Sequence, residues 1–336
     1  MAYDLLVVGS GPGGYVAAIR ASQLGMKVGI VENENLGGIC LNWGCIPTKA
    51  LLKSSQVYDY IKHASDYGIT ISDSKVDLHG MVKRSRNAAG QMSKGIEFLM
   101  KKNKVDVIRG HGRLTKDKKV EVEDEQGKKQ QHEAKEIILA TGARAKELPN
   151  VKIDGKKVIE YRKAMTLEHK PESMVVIGSG AIGTEFAYFY NAIDTEVTLV
   201  EYMPKILPIE DDEVSKQLER TFKKEGMNIL TESTVQDVDT SGKKCKVKIK
   251  TKKGEQTVEA DVVLSSVGIT PNTEDLGLEN LGIKTDDGGR IQVDEFYRTN
   301  VDHVYAIGDM LPGPALAHVG SAEGICCVEN IAGEQP

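Results

Sequence analysis

One strand–turn–helix–strand pattern occurs twice in this chain, and nothing else in the sequence constrains the fold as tightly. The first copy opens with 4-DLLVVGSGPGGYVAAIRASQLG-25. A buried strand turns into a helix through Gly9, Gly11 and Gly14, spaced as G-x-G-x-x-G. A second strand, 27–31, follows and ends at Glu32. The second copy is 174-MVVIGSGAIGTEFAYFYNAIDTEVTLVE-201, with Gly178, Gly180 and Gly183 and a closing Glu201. In both copies the acid follows the first glycine by 23 residues. A lone glycine motif carries little weight. Two copies in full strand–turn–helix–strand–acid context define two dinucleotide-binding units. The copies also end alike, with strand 137–140 then Thr141-Gly142, and strand 262–265 then Val267-Gly268.

The chemistry of the motif explains its residues. A pyrophosphate needs close backbone approach, which Gly11 and Gly180 would allow, and a helix N-terminus offers it unpaired N–H groups. Glu32 and Glu201 would accept hydrogen bonds from ribose hydroxyls. A carboxylate at 201 repels a 2′-phosphate, which favours NAD over NADP. Two dinucleotide sites imply two redox partners, and a flavin with a nicotinamide is one such pair.

The stretch 36-LGGICLNWGCIPTKALLKSS-55 carries two of only five cysteines. Neither metal spacing nor a disulfide scaffold accounts for Cys40 and Cys45. In a regular helix, positions five apart lie roughly 8–9 Å from each other, beyond disulfide reach. If the two sulfurs bridge, the backbone must leave regular helix, which Gly38, Gly44 and Pro47 permit. A thiol at the start of the following helix is a better thiolate at neutral pH, and Lys49 one turn on adds to this. A pair of buried apolar thiols stays open as the alternative.

The remaining segments read as ordinary structure. Residues 46–64 and 78–103 are predicted helical, 105–125 short strands, and 125–135 a polar hairpin. The helix 211–226 places Val214, Leu218 and Phe222 on one core stripe. The alternating lysines of 243–253 suggest an edge strand. His63, His79, His132 and His169 sit in polar surroundings and are expected to face solvent. Cys245, Cys326 and Cys327 belong to no motif and are expected to be structural. With 40% hydrophobic and 28% charged residues and a net charge of −5, the chain has no basic surface for nucleic acid and no membrane span.

The run Gly37-Gly38-Ile39-Cys40-Leu41-Asn42-Trp43-Gly44-Cys45-Ile46-Pro47-Thr48-Lys49 resembles the redox signature of the pyridine nucleotide–disulfide oxidoreductases, and within them the lipoamide branch. The resemblance covers the whole chain. It implies an α/β fold with two Rossmann-like dinucleotide-binding domains of the glutathione reductase type, the NAD domain inserted in the FAD domain. The boundaries expected are 1–145 and 272–336 for FAD and 146–271 for NAD. By resemblance, Cys40 and Cys45 form the redox disulfide, Cys45 on the flavin side and Cys40 as the interchange sulfur. Lys49 and Glu185 match the ion pair beside the flavin. Gly9, Gly11, Gly14, Glu32, Gly112, Thr141, Gly142, Ala143 and Asp309 match FAD contacts, and Ala315, Leu316, Ala317 and His318 match the segment under its ring. Gly178, Gly180, Gly183, Glu201, Val235 and Gly268 match NAD contacts. Ile182 stands where glutathione reductase-like members have a tyrosine gate, which again favours the lipoamide branch.

The implied reaction passes electrons from dihydrolipoamide through the Cys40–Cys45 disulfide and FAD to NAD. The implied partners are a lipoyl-bearing acyltransferase of a 2-oxoacid dehydrogenase complex and a second copy of the chain. The implied location is the bacterial cytoplasm or, after processing, the mitochondrial matrix. Family members continue into a C-terminal interface domain that supplies a His–Glu acid–base pair to the partner subunit. The chain stops at Pro336 without such a segment, so a truncated chain impaired in thiol exchange is expected. Rival readings are another disulfide or mercuric reductase on the same scaffold, and a non-catalytic nucleotide-binding scaffold.

Overall fold

Both glycine motifs fold as strand, turn, helix and parallel strand in a computed structural model, which describes residues 2–336. Strand Tyr3–Val8 leads into helix Pro12–Gln23 and then strand Val28–Glu32. Strand Ser173–Ile177 leads into helix Ala181–Ala192 and then strand Glu196–Val200. The chain divides into two compact units. One comprises the residues up to Cys45, Ala89–Arg144 and Thr270–Pro336. The other comprises Ile46–Ala88 and Ala145–Ile269.

Each unit is built on a five-stranded parallel sheet with the motif's first strand at its centre. In the first unit the order is Val304–Ala306, Ala134–Leu139, Tyr3–Val8, Val28–Glu32, Asp106–Arg109. In the second it is Val158–Ile159, Val262–Ser265, Ser173–Ile177, Glu196–Val200, Asn228–Leu230. Strands covered on both faces read as continuous apolar runs. Accordingly Leu5, Leu6 and Val7 are fully buried, as are Val175 and Val176. The edge strand Val304–Ala306 enters the first sheet from beyond the second unit, so the first unit is discontinuous in sequence.

Each unit also carries a three-stranded antiparallel sheet: His111–Leu114, Val120–Glu123 and Lys129–His132 in the first, Thr234–Asp239, Cys245–Thr251 and Gly254–Ala260 in the second. The lysine-rich strand Cys245–Thr251 is therefore central, not an edge. Its alternation arises from one-sided burial. Cys245, Val247 and Ile249 are fully buried, while Lys246, Lys248 and Lys250 face solvent. Replacing Ile249 with alanine is expected to destabilise the second unit by about 2–5 kcal/mol. Lys248→Ala is expected to stay within about 0.5 kcal/mol. Urea unfolding of the two variants checks the contrast.

Two further expectations are corrected. Helix Asp212–Lys224, capped by Asp211 through the amides of Glu213 and Val214, buries Ser215 and Phe222 but leaves Val214 exposed. The buried face runs through Ser215 and Phe222, and Val214, beside Ser215 in the same first turn, points off that face. His132 is half-buried instead of solvent-facing, with its ring 6.4 Å from that of Tyr3. Burial lowers its pKa. Cys245 and Cys327 are buried thiols and Cys326 is half-buried.

Candidate active site

The three glycines of each motif are required for three different reasons. Gly9 and Gly178 have φ of +105° and +94°, and a Cβ on them would overlap the carbonyl oxygens of Ala140 and Ser266. A Cβ on Gly14 or Gly183 would overlap the carbonyl oxygen of Gly9 or Gly178, because helix and strand pack too closely there. Gly11 and Gly180 differ. Both have extended backbone, and a Cβ on either would meet nothing within 4 Å. Their missing side chains leave an open cradle at the helix N-terminus and at the carboxyl ends of the parallel strands. That is where a dinucleotide's pyrophosphate fits.

The acid at the end of each second strand faces this cradle's loop. Glu32 Oε2 accepts from the Ser10 amide at 3.1 Å and its hydroxyl at 2.5 Å, and Oε1 accepts from the Glu34 amide at 2.7 Å. Glu201 Oε2 accepts from the Ser179 amide at 2.8 Å and its hydroxyl at 2.6 Å, and Oε1 accepts from the Met203 amide at 2.8 Å. Both carboxylates are buried. Sequence reading found the acids and passed over the serines. The signal was present, since the same residue stands between the first two glycines of both motifs.

Cys40 and Cys45 are joined in a disulfide with Cα atoms 4.6 Å apart. The backbone leaves helix as that bridge requires. Helix Gly38–Asn42 ends at Trp43, Gly44 follows, and a new helix, Cys45–Lys62, begins at the second cysteine. Gly37 and Gly38 both have positive φ. A Cβ on Gly38 would press into the Cα of Gly11, so the cysteine segment lies directly against the first glycine turn. Four hydrogen bonds brace and anchor it. The Gly37 amide donates to the Ser10 carbonyl at 3.0 Å. Asn42 Nδ2 donates to the carbonyls of Leu36 at 3.1 Å and Gly38 at 3.0 Å. Ser93 Oγ donates to the Leu36 carbonyl at 2.9 Å. Cys45 is exposed and Cys40 half-buried.

The other expected site residues fall in two groups. In the first unit, Thr141 Oγ1 donates to the Asn272 carbonyl at 2.7 Å, and the Asn272 amide donates to the Gly142 carbonyl at 2.9 Å. Ala143 is buried beside them. Asp309 follows Gly308 after the strand Val304–Ala306, and burial raises its carboxyl pKa. Ala315, Leu316, Ala317 and His318 lead into helix Ala317–Ile331, with His318 exposed. Glu323 on that helix accepts from the Gly308 amide at 2.6 Å, and burial chiefly raises its pKa as well. Sequence reading gave Glu323 no role here. Gly112 is buried in strand His111–Leu114, its missing Cβ toward the side chains of Val8, Val31 and Val120.

In the second unit, Lys49 on helix Cys45–Lys62 pairs with Glu185 on helix Ala181–Ala192. Ile182 is half-buried in the first turn of that second helix. Val235 is buried in the core beneath strand Thr234–Asp239, and Gly268 has φ of +114° with open space where a Cβ would stand.

A disulfide packed on one of two dinucleotide cradles defines a class, and sequence comparison agrees with it. Residues 3–324 match the pyridine nucleotide-disulphide oxidoreductase family, and the chain belongs to that family. Among its relatives, a dihydrolipoyl dehydrogenase of Zymomonas mobilis is 48% identical over 332 residues, which are 98% of this chain and 71% of that protein. A dihydrolipoyl dehydrogenase of Rhizobium etli is 45% identical, over 98% of this chain and 72% of that protein. A crystal structure of LpdA from Mycobacterium tuberculosis superposes with a TM-score of 0.92 at 28% identity, covering 98% of this chain and 73% of that one. Among the described residues, no helix is long and apolar enough to cross a membrane.

Proposed function

We propose that the chain is a flavoprotein oxidoreductase that passes electrons from dihydrolipoamide through the Cys40–Cys45 disulfide and FAD to NAD. The observation that carries this reading is the disulfide seated against the glycine turn of the first unit through Gly38 and Gly11. FAD and NAD are its cofactors. The first unit takes FAD and the second NAD, and each cradle fits a dinucleotide by the open face at Gly11 or Gly180. Bound flavin supplies the step that joins thiol chemistry to hydride chemistry.

The chain's own residues do the rest. A substrate thiolate attacks Cys40 Sγ, the Cys40–Cys45 bond breaks, and a mixed disulfide forms with Cys45 leaving as thiolate. The second substrate thiol then attacks its own sulfur in that mixed disulfide. Oxidised substrate closes its ring, and Cys40 is released. Cys45 stands at the first position of an 18-residue helix, whose N-terminal partial charge favours the departing thiolate. Lys49, one turn further along that helix and held by Glu185, adds a positive charge. Ser10, Asn42 and Ser93 fix the loop that presents the cysteines. The partners are a lipoyl-bearing acyltransferase of a 2-oxoacid dehydrogenase complex and a second copy of the chain. The cellular site is the bacterial cytoplasm or the mitochondrial matrix.

The test is spectroscopic and kinetic. The purified chain is expected to be yellow, and NADH is expected to bleach the flavin band in preference to NADPH. Dihydrolipoamide is expected to be the preferred substrate in a panel of dithiols and disulfides. A folded but colourless protein refutes the reading. For Lys49→Met, loss of the cation is expected to disfavour the thiolate, slowing turnover about tenfold at neutral pH. The pH–rate profile is then expected to move to higher pH, so the deficit narrows in alkaline buffer.

A further inference from the structure

The carboxylate that closes each glycine motif does not stand free to meet a ribose. It is already held by three protein donors, and the two units hold it in the same way. In the second unit, Ser179 is fully buried and supplies two of the three bonds to Glu201, from its amide and from its hydroxyl, both to Oε2. The Met203 amide takes one position on Oε1. A carboxylate oxygen accepts about two hydrogen bonds, so Oε2 is filled and Oε1 keeps one position for a ligand. The Glu201 backbone is fixed as well. Its amide donates to the Leu230 carbonyl at 2.8 Å and its carbonyl accepts from Ser233 at 2.9 Å. Ser179 is itself pinned, because its carbonyl accepts from Leu207 N and Thr184 Oγ1, each at 3.0 Å.

We propose that Ser179 is a positioning residue that locks the Glu201 carboxylate in place for the adenosine ribose of the nicotinamide cofactor, and thereby sets the discrimination against a 2′-phosphorylated cofactor. The inference rests on the reading that the second unit takes NAD. Discrimination by charge works only if the carboxylate cannot turn aside. A glutamate has three rotatable side-chain bonds. Unclamped, it swings away from an incoming phosphate and the repulsion is relieved. The hydroxyl completes the three-point hold that removes that freedom, so a 2′-phosphate meets a fixed negative charge while a 2′-hydroxyl meets a fixed acceptor. An alanine keeps the two backbone bonds and loses the hydroxyl bond, the only one made by the side chain. Ser10 makes the equivalent two bonds to Glu32 in the first unit.

The test is calorimetric titration of the flavin-loaded chain with ADP-ribose and with 2′-phospho-ADP-ribose, which carry the adenosine end without hydride chemistry. The parent is expected to prefer ADP-ribose. In Ser179→Ala that preference is expected to fall about tenfold, the worth of one hydrogen bond to a charged group. A preference within threefold of the parent's overturns the proposal, whether both ligands bind as before or both weaken together. If Ser179→Ala does not fold, Ser179→Gly is read by the same criterion. In a Glu201→Gln background, Ser179→Ala is expected to change the preference no further, and a further tenfold change overturns the proposal. A parent that binds neither ligand refutes the assignment of NAD to the second unit, an outcome distinct from an unchanged preference.

Discussion

Serine in place of either Cys40 or Cys45 is expected to abolish dihydrolipoamide-dependent NAD reduction, by on the order of 10³ or more relative to the parent chain. Neither variant retains a disulfide for the substrate thiolate to break. Flavin content is expected to stay near the parent's, because the loop is anchored by backbone and by Asn42 and Ser93 rather than by sulfur. The two variants are not equivalent. Cys40→Ser leaves a thiol at the start of helix Cys45–Lys62, where the helix N-terminus favours thiolate. It is expected to show absorbance at wavelengths longer than the flavin's own bands. Cys45→Ser leaves only the half-buried position 40 and is expected to lack that absorbance. Turnover above about a tenth of the parent's in either variant, or identical spectra in the two, refutes the assignment of roles.

Much of the site could be read from sequence because its chemistry is carried by backbone, and glycine spacing reports backbone directly. The positive φ at Gly9 and the tight packing of Gly14 on the Gly9 carbonyl are backbone requirements that the spacing reports, while Gly11 leaves open space that no protein atom fills. The break between Cys40 and Cys45 followed from helical geometry only once the family resemblance implied that the two sulfurs bridge. What escaped depends on tertiary neighbours. The strand Cys245–Thr251 has the alternation of any strand buried on one face, and only its pairing on both sides shows it to be central. Val214 stands eight residues before Phe222, about 80° round the helix from it, and only the packing shows that the buried face runs through Ser215 instead. Ser10 and Ser179 were passed over because serine in a glycine turn is unremarkable until the carboxylate 22 residues on is seen to fold back onto it. Glu323 reaches Gly308 across 15 residues of loop and helix, and no periodicity encodes that contact.

Valine in place of Gly180 is expected to weaken NAD binding by on the order of 100-fold or more, while the chain folds and keeps its flavin. The reason lies in the difference between the motif's glycines. Gly180 has φ of −64° with extended ψ, a conformation open to any residue, and a Cβ there meets no protein atom within 4 Å. The fold therefore tolerates a side chain. A pyrophosphate seated in the proposed cradle would not, because the added carbons would occupy the space through which it approaches the amides at the start of helix Ala181–Ala192. Losing two such charge-assisted bonds accounts for a factor of about 100. Gly183→Val is expected to fail differently. Its Cβ would overlap the Gly178 carbonyl oxygen, so helix and strand would have to separate and the whole second unit would be destabilised. Calorimetric titration with NAD and thermal unfolding, run on both variants, separate the two cases. Gly180→Val loses ligand at an unchanged melting temperature, and Gly183→Val loses both. If Gly180→Val binds NAD within a few-fold of the parent, the cradle is not where the pyrophosphate lies. If the same variant unfolds early, that glycine serves the fold instead of the ligand.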